Sequence, residues 1–260
     1  MQPFVLSIIK GVRMTNKISS CKSFLKKVNL LRTRKLGIFI AIVLLLIIFS
    51  ILQPKFATIT NLLNLGRQIS TIGIMSIGMT FLIIGRNFDL SIGSMFALVS
   101  TIVAIAMVNG IPVFIALLIG IIFGSIFGFI NDVLSTFAKI PSFVVGLGML
   151  NAYRGAQLII TGGRSIVVLG LGGIGANFFY HLGGGRLFGY IPMMFITFIV
   201  LWAIGHILLT RTTFGLRTFA VGGSPMASKI AGINENWVQT YGFVLQGIVV
   251  AVAIDKWTAK

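Results

Sequence analysis

The sequence predicts an all-α fold: a polytopic bundle of transmembrane helices, about seven spans, with a cytoplasmic N-terminus. The first observation is composition. Mean hydropathy is +1.04, and 57% of residues are hydrophobic against 10% charged, where a soluble domain carries about a quarter charged. The second is the recurrence of apolar runs of roughly 17 to 21 residues, each about the length that crosses a bilayer as a helix. In hydrocarbon the backbone must satisfy its own hydrogen bonds, so such runs mean helices. They do not alternate apolar with polar residues, as the strands of a membrane barrel would. The third is charge placement. Nine of the 21 basic residues lie between Lys10 and Lys35 with no acid among them, and the stretch ends at the first apolar run. That is the positive-inside signature of a cytoplasmic arm, residues 1–35, touching anionic lipid.

The runs follow in order: Leu36–Leu52, Ile69–Ile84, Ser91–Val108, Ile111–Ile130, Pro141–Ile160, Ile191–Leu209 and Trp237–Ile254. Alternation then places Arg86, Lys139 and residues 211–236 inside. It places residues 53–68, Asn109 and residues 161–190 outside. Fourteen basic residues fall inside and four outside (Lys55, Arg67, Arg164, Arg186), with Arg154 inside the fifth run near its outer end, where it can snorkel. The fourth run carries Gly120, Gly124 and Gly128. Glycine at every fourth residue lets another backbone approach closely, either within the bundle or at a homodimer seam.

Several chemistries are excluded. The net charge of +17 is gathered in the arm without the aromatic or Gly-rich interleaving of a nucleic-acid platform, so no nucleic-acid partner is expected. Cys21 is the sole cysteine, so no intramolecular disulfide forms. Gly170, Gly172 and Gly175 spell a GxGxxG, but the next acid is Glu235, not one about 20 residues on as a dinucleotide site needs. No GxxxxGK[ST] phosphate loop occurs, so the chain carries no ATPase motif of its own. His181 and His206 are isolated, so no metal, cofactor or catalytic group is expected. The sequence reads as a non-enzyme.

The polar residues that remain carry the candidate function. Asp89, in NFDLSIGS, is one of only four acids. It sits where its carboxylate can accept from the backbone N–H of Ser91 or Ile92 and cap the third span, although Ser91 can take the cap instead. The alternative is a capped turn that lines a cytoplasmic gate. Asn61, Asn64 and Gln68 share one helix face at i, i+3, i+7, and either bond neighbouring helices or line a wet path for a polar solute. In the loop FAVGGSPMASKIAGINENW, Ser224 and Pro225 read as N-cap and first helical position, Met226–Ala231 as a short helix, and Gly232 as its C-terminal stop. Such a helix either lies on lipid or docks into a soluble partner.

These motifs together resemble the membrane-spanning permease subunits of bacterial ABC sugar importers, the ribose-type branch. The family's N-L-x-N-x-x-x-Q pattern is matched by Asn61, Leu62, Asn64 and Gln68, and its G-M-T by Gly78-Met79-Thr80. Its G-I-D-L-S-V-G-S is matched through Asp89, Leu90, Ser91, Gly93 and Ser94, with Asn87-Phe88 replacing Gly-Ile. Asn131 and Arg154-Gly155 match further. The loop pattern A-x-G-G-N-x-x-A-A-x-x-x-G-I is met by Ala220, Gly222, Gly223, Ala227, Gly232 and Ile233.

The resemblance covers residues 36 to 250 or so. It implies a permease domain over 36–254 in a bacterial inner membrane, passing a monosaccharide. It implies a separate ABC ATPase subunit, an extracytoplasmic sugar-binding protein and a second permease copy, identical or not. Asn61, Asn64, Gln68, Asp89 and Ser91 would belong to the path or gate. Gly222, Gly223, Ser224, Ala227 and Gly232 would form the ATPase-coupling loop within 211–236. Ser224-Pro225 depart from the family's Asn there, and Asp132 stands where the family has Gly. The last residues, IDKWTAK, do not resemble the family's continuation, so residues 255–260 read as an atypical end and the bundle as truncated. The alternatives are a degenerate permease that keeps partner docking only, and a stand-alone secondary transporter.

Overall fold

The computed structural model describes residues 34–166, 185–187 and 191–254. The basic arm up to residue 33, Cys21, the GxGxxG glycines, His181 and residues 255–260 lie outside the described residues. Two compact units are present, Met1–Leu62 and Leu63–Lys260.

The first unit holds α1 (Arg34–Leu52), a 3₁₀ turn (Pro54–Ala57) and the first residues of α2 (Ile59–Ile84). Helix α1 exposes apolar side chains on every face, Ile38, Phe39, Leu44 and Ile48 among them, as suits a helix solvated by hydrocarbon rather than water. Phe49 packs on Phe56 at 5.6 Å between ring centroids. The Thr58 hydroxyl accepts from the Asn61 N–H at 3.4 Å and so caps α2. That cap moves the start of α2 ten residues ahead of the expected Ile69. Backbone hydrogen bonding continues past the point where the apolar run stops, because helix length and apolar length are set by different forces.

The second unit contains the rest of α2, then α3 (Ile92–Val108), α4 (Val113–Asp132) with a π-helical turn (Val133–Phe137), and α5 (Ser142–Thr161). A two-residue antiparallel pair follows, β1 (Arg186–Leu187) with β2 (Ile191–Pro192). The chain then forms α6 (Met193–Arg211), α7 (Thr213–Gly223), α8 (Pro225–Ile230) and α9 (Glu235–Val252). The seven expected runs thus correspond to α1 to α6 and α9. Among the described residues four stretches, Ile59–Ile84, Val113–Phe137, Ser142–Thr161 and Met193–Arg211, are long and apolar enough to cross a membrane, while Leu36–Leu52 and α3 are shorter apolar stretches.

Helix α3 lies at the centre, with Met95, Val99 and Val103 buried against Ala116, Val250 and Ala251. The glycine stripe of α4 faces α9 within the bundle. A Cβ on Gly124 would strike the Gly247 carbonyl, one on Gly128 the Phe243 carbonyl, and one on Gly247 the Gly124 carbonyl. Close backbone approach of this kind is what small residues at a helix interface permit. It also explains why half of the 18 residues of α9 are buried, two of them the polar Thr240 and Gln246.

A buried carboxylate cluster and an exposed loop helix

Asp89 is 2% exposed. Burying a carboxylate is costly unless its oxygens are hydrogen-bonded, and here both are fully engaged. Oδ1 accepts from the Ser91 backbone N–H at 2.7 Å and the Ser91 hydroxyl at 2.6 Å. Oδ2 accepts from Asn131 Nδ2 at 3.0 Å and Gln246 Nε2 at 3.1 Å. Four donors match the roughly four lone-pair sites of a carboxylate. The Asn131 amide also reaches the Ser91 hydroxyl at 2.8 Å, and its own Oδ1 accepts from the Tyr153 hydroxyl at 2.8 Å. One carboxylate therefore joins the start of α3, the end of α4 and the middle of α9, with α5 added through Tyr153. The bond to the Ser91 N–H is the local one that the sequence leads one to expect. The other partners make Asp89 a junction between helices as well as a local cap. Ser91, in αR conformation, precedes the first helical residue and offers no side-chain cap of its own.

A second carboxylate, Asp132, adjoins Asn131 in sequence. Asp132 is 0% exposed, and its oxygens are 2.6 Å from the hydroxyls of Thr136 and Thr240. Gln239 continues this chain, 2.8 Å from Thr136 and bonded to Glu235 at 3.1 Å. Three of the four acids thus stand in two adjoining polar networks. Among the described residues no three of His, Cys, Asp and Glu are grouped to hold a metal.

Asn61, Asn64 and Gln68 do not join either network. The Asn61 amide bonds the Phe56 carbonyl at 2.8 Å, while Asn64 and Gln68 are exposed. Gln68 is sixteen residues from Ile84, roughly 24 Å along the helix axis. Arg154 bonds Gln157 at 2.6 Å. With Thr161, Arg164 and Ser165 these two line a cavity of about 160 Å³ at the far end of α5.

Asn131, Asp132, Tyr153 and Gln246 were not singled out by composition or spacing. The available signal was modest: an Asn-Asp pair closing an apolar run, and an amide set among Val, Leu and Ile in α9.

The loop helix α8 is six residues long, one shorter than expected, because Ala231 already leaves it. The Ser224 hydroxyl accepts from the Ala227 N–H at 3.3 Å, Pro225 fills the first helical position, and Gly232 follows at φ 77°. Ser228 is buried and anchors one side. Met226 and Ile230, four residues apart and hence on one face, are 71% and 79% exposed. Gly222, Gly223, Ala227 and Gly232 flank or form this element.

A chain whose described residues are helical apart from one two-residue strand pair, with apolar outer faces, Asp89 and Asp132 buried and one short capped helix exposed, is a multi-pass membrane protein. The profile of the family described as "Branched-chain amino acid transport system / permease component" matches residues 61–253, and the chain belongs to that permease family. It is similar to the ribose import permease protein RbsC of Bacillus subtilis, 37% identical over 220 residues, which cover 85% of this chain and 67% of the relative. It is also similar to RbsC of Haemophilus influenzae, 32% identical over 83% of this chain and 66% of the relative. The L-arabinose transport system permease protein AraH of Escherichia coli is 32% identical over 84% of this chain and 64% of the relative. The chain thus spans about two-thirds of the length of these relatives. No solved structure matches it.

Proposed function

We propose that the chain is the permease subunit of an ABC importer of a monosaccharide, seated in a bacterial inner membrane with its N-terminus cytoplasmic. A separate ATPase subunit drives it, an extracytoplasmic binding protein supplies the sugar, and a second permease copy completes the path. The ribose and L-arabinose relatives support the substrate class. The observation that carries the division of labour is α8. A rigidly capped helix presents Met226 and Ile230 outward while Ser228 holds its other side. Exposed apolar side chains at i and i+4 are the anchors a groove on a soluble partner would take. Rigid-body movement of such a helix, driven by closure of the ATPase, would rock the attached spans.

Along α5, polar groups recur from the Asp89 cluster through Tyr153 to the cavity at Arg154 and Arg164. This is the candidate route, with Asp89 and Ser91 at its inner end.

The test is capture in detergent of a candidate ABC ATPase subunit from the same operon. Intact protein should retain it and a Met226→Ser, Ile230→Ser double variant should lose it. Capture by both variants alike would remove α8 as the docking element. A stand-alone secondary transporter is the second reading, favoured by the two buried carboxylates Asp89 and Asp132. Sugar uptake into vesicles driven by an ion gradient, without the ATPase, would establish it.

A further inference from the structure

We infer that Arg86 is a positioning residue, the strut that carries displacement of α8 to the Asp89 cluster. This rests on the importer reading given above. Arg86 lies in the link between α2 and α3, at φ 64°. A non-glycine residue keeps this left-handed conformation only where its surroundings hold it.

What holds Arg86 is the end of α7. Its Nε donates to the Gly222 carbonyl at 2.7 Å, and Nη2 donates to the Gly223 carbonyl at 3.2 Å. These carbonyls belong to the last turn of the helix, where unsatisfied oxygens and the negative end of the helix dipole favour a cation. The fixed fork of a guanidinium suits two successive carbonyls, whereas an ammonium is a point charge. The backbones also touch there, since a Cβ on Gly222 would run into the Ile84 carbonyl. Ser224, the cap of α8, is the next residue after Gly223.

On its other side Arg86 stands three residues before Asp89. The intervening link is itself tied down. The Asn87 N–H donates to the Leu82 carbonyl at 2.8 Å and the Phe88 N–H to the Ser142 hydroxyl at 3.1 Å. The base of the exposed helix is therefore one side chain away from the link that delivers Asp89 to Asn131 and Gln246. A push on α8 reaches the cluster through this joint, since Arg86 is anchored to α7 and the link beyond it is short and bonded.

Hydrogen exchange of the intact chain, with and without the ATPase subunit bound, tests this. In wild type, ATPase binding should slow amide exchange both in α8 and in residues 86–92. In Arg86→Ala the slowing in α8 should persist while that in 86–92 falls at least several-fold, and ATP consumed per sugar imported should rise about tenfold. Arg86→Lys, which restores one of two bonds, should lie between. Should Arg86→Ala fail to fold, Arg86→Lys and Gly222→Ala, which loosens the joint from its other side, carry the same comparison. An unchanged response at 86–92 in folded variants that still bind the ATPase overturns the strut alone. Failure of wild type to bind the ATPase overturns the importer reading and the strut with it.

Discussion

Replacing Asp89 separates its two roles, because its two oxygens serve different partners. Leucine at position 89 fills similar space and removes every acceptor. It strands the Ser91 N–H, the Gln246 amide and one N–H of the Asn131 amide, whose other N–H keeps its bond to the Ser91 hydroxyl. A buried donor left unsatisfied costs about 1–3 kcal/mol, so three of them cost on the order of 3–6 kcal/mol after partial relaxation. Asparagine keeps one oxygen for the Ser91 bonds but turns an NH₂ toward two other NH₂ groups. Gln246 offers relief, since its Oε1 is buried without a partner among the described residues. Rotating that amide would give the new NH₂ an acceptor and strand one donor in exchange. The expected cost is about 1–3 kcal/mol. Equilibrium unfolding in mixed micelles of denaturing and non-denaturing detergent measures both variants on one scale, with sugar uptake as a second readout. Asp89→Leu should be the less stable by about 2 kcal/mol or more, and Asp89→Asn should keep part of the uptake. A leucine variant as stable as the asparagine one would refute the junction described here.

Further outcomes follow from the packing. Gly128→Ala drives a methyl group into the Phe243 carbonyl and should cost about 1–3 kcal/mol, whereas Gly66→Ala, with nothing within 4 Å, should be neutral or slightly stabilising; thermal unfolding of the two compares them directly. Thr240→Val removes the hydroxyl 2.6 Å from Asp132 Oδ2 at similar volume and should cost about 1.5–3 kcal/mol, read in the same micelle titration. Arg164→Gln alters the cavity at the far end of α5; uptake should fall several-fold while ATPase capture is unchanged, and unaltered uptake would take that cavity off the route.

Much of the fold was legible because it depends on neighbours in sequence. Six of the seven runs begin within a few residues of a helix start. The exception, α2, shows why the margin fails: Thr58 caps the helix at a polar stretch that a search for apolar length passes over. Ser224-Pro225 foretold α8 almost to the residue, since capping uses only the N–H groups of the next turn. The face shared by Asn61, Asn64 and Gln68 was equally legible, but periodicity does not say what lies opposite, and the structure leaves Asn64 and Gln68 exposed.

The amino-acid sequence by itself determined an apolar helical bundle, a capped exposed turn, a glycine stripe and an acid placed to accept from the Ser91 N–H. Only the tertiary structure decided what these meet. The stripe of α4 is matched by Gly247 and the Phe243 carbonyl of α9. Asp89 is reached by Asn131 from 42 positions away and by Gln246 from 157. The physical reason is the same in both cases. Hydrophobic length and helix caps are local properties, fixed within a turn or a span. The pairing of buried polar groups depends on how each helix is rotated against its neighbours, and close packing of the whole bundle sets that rotation.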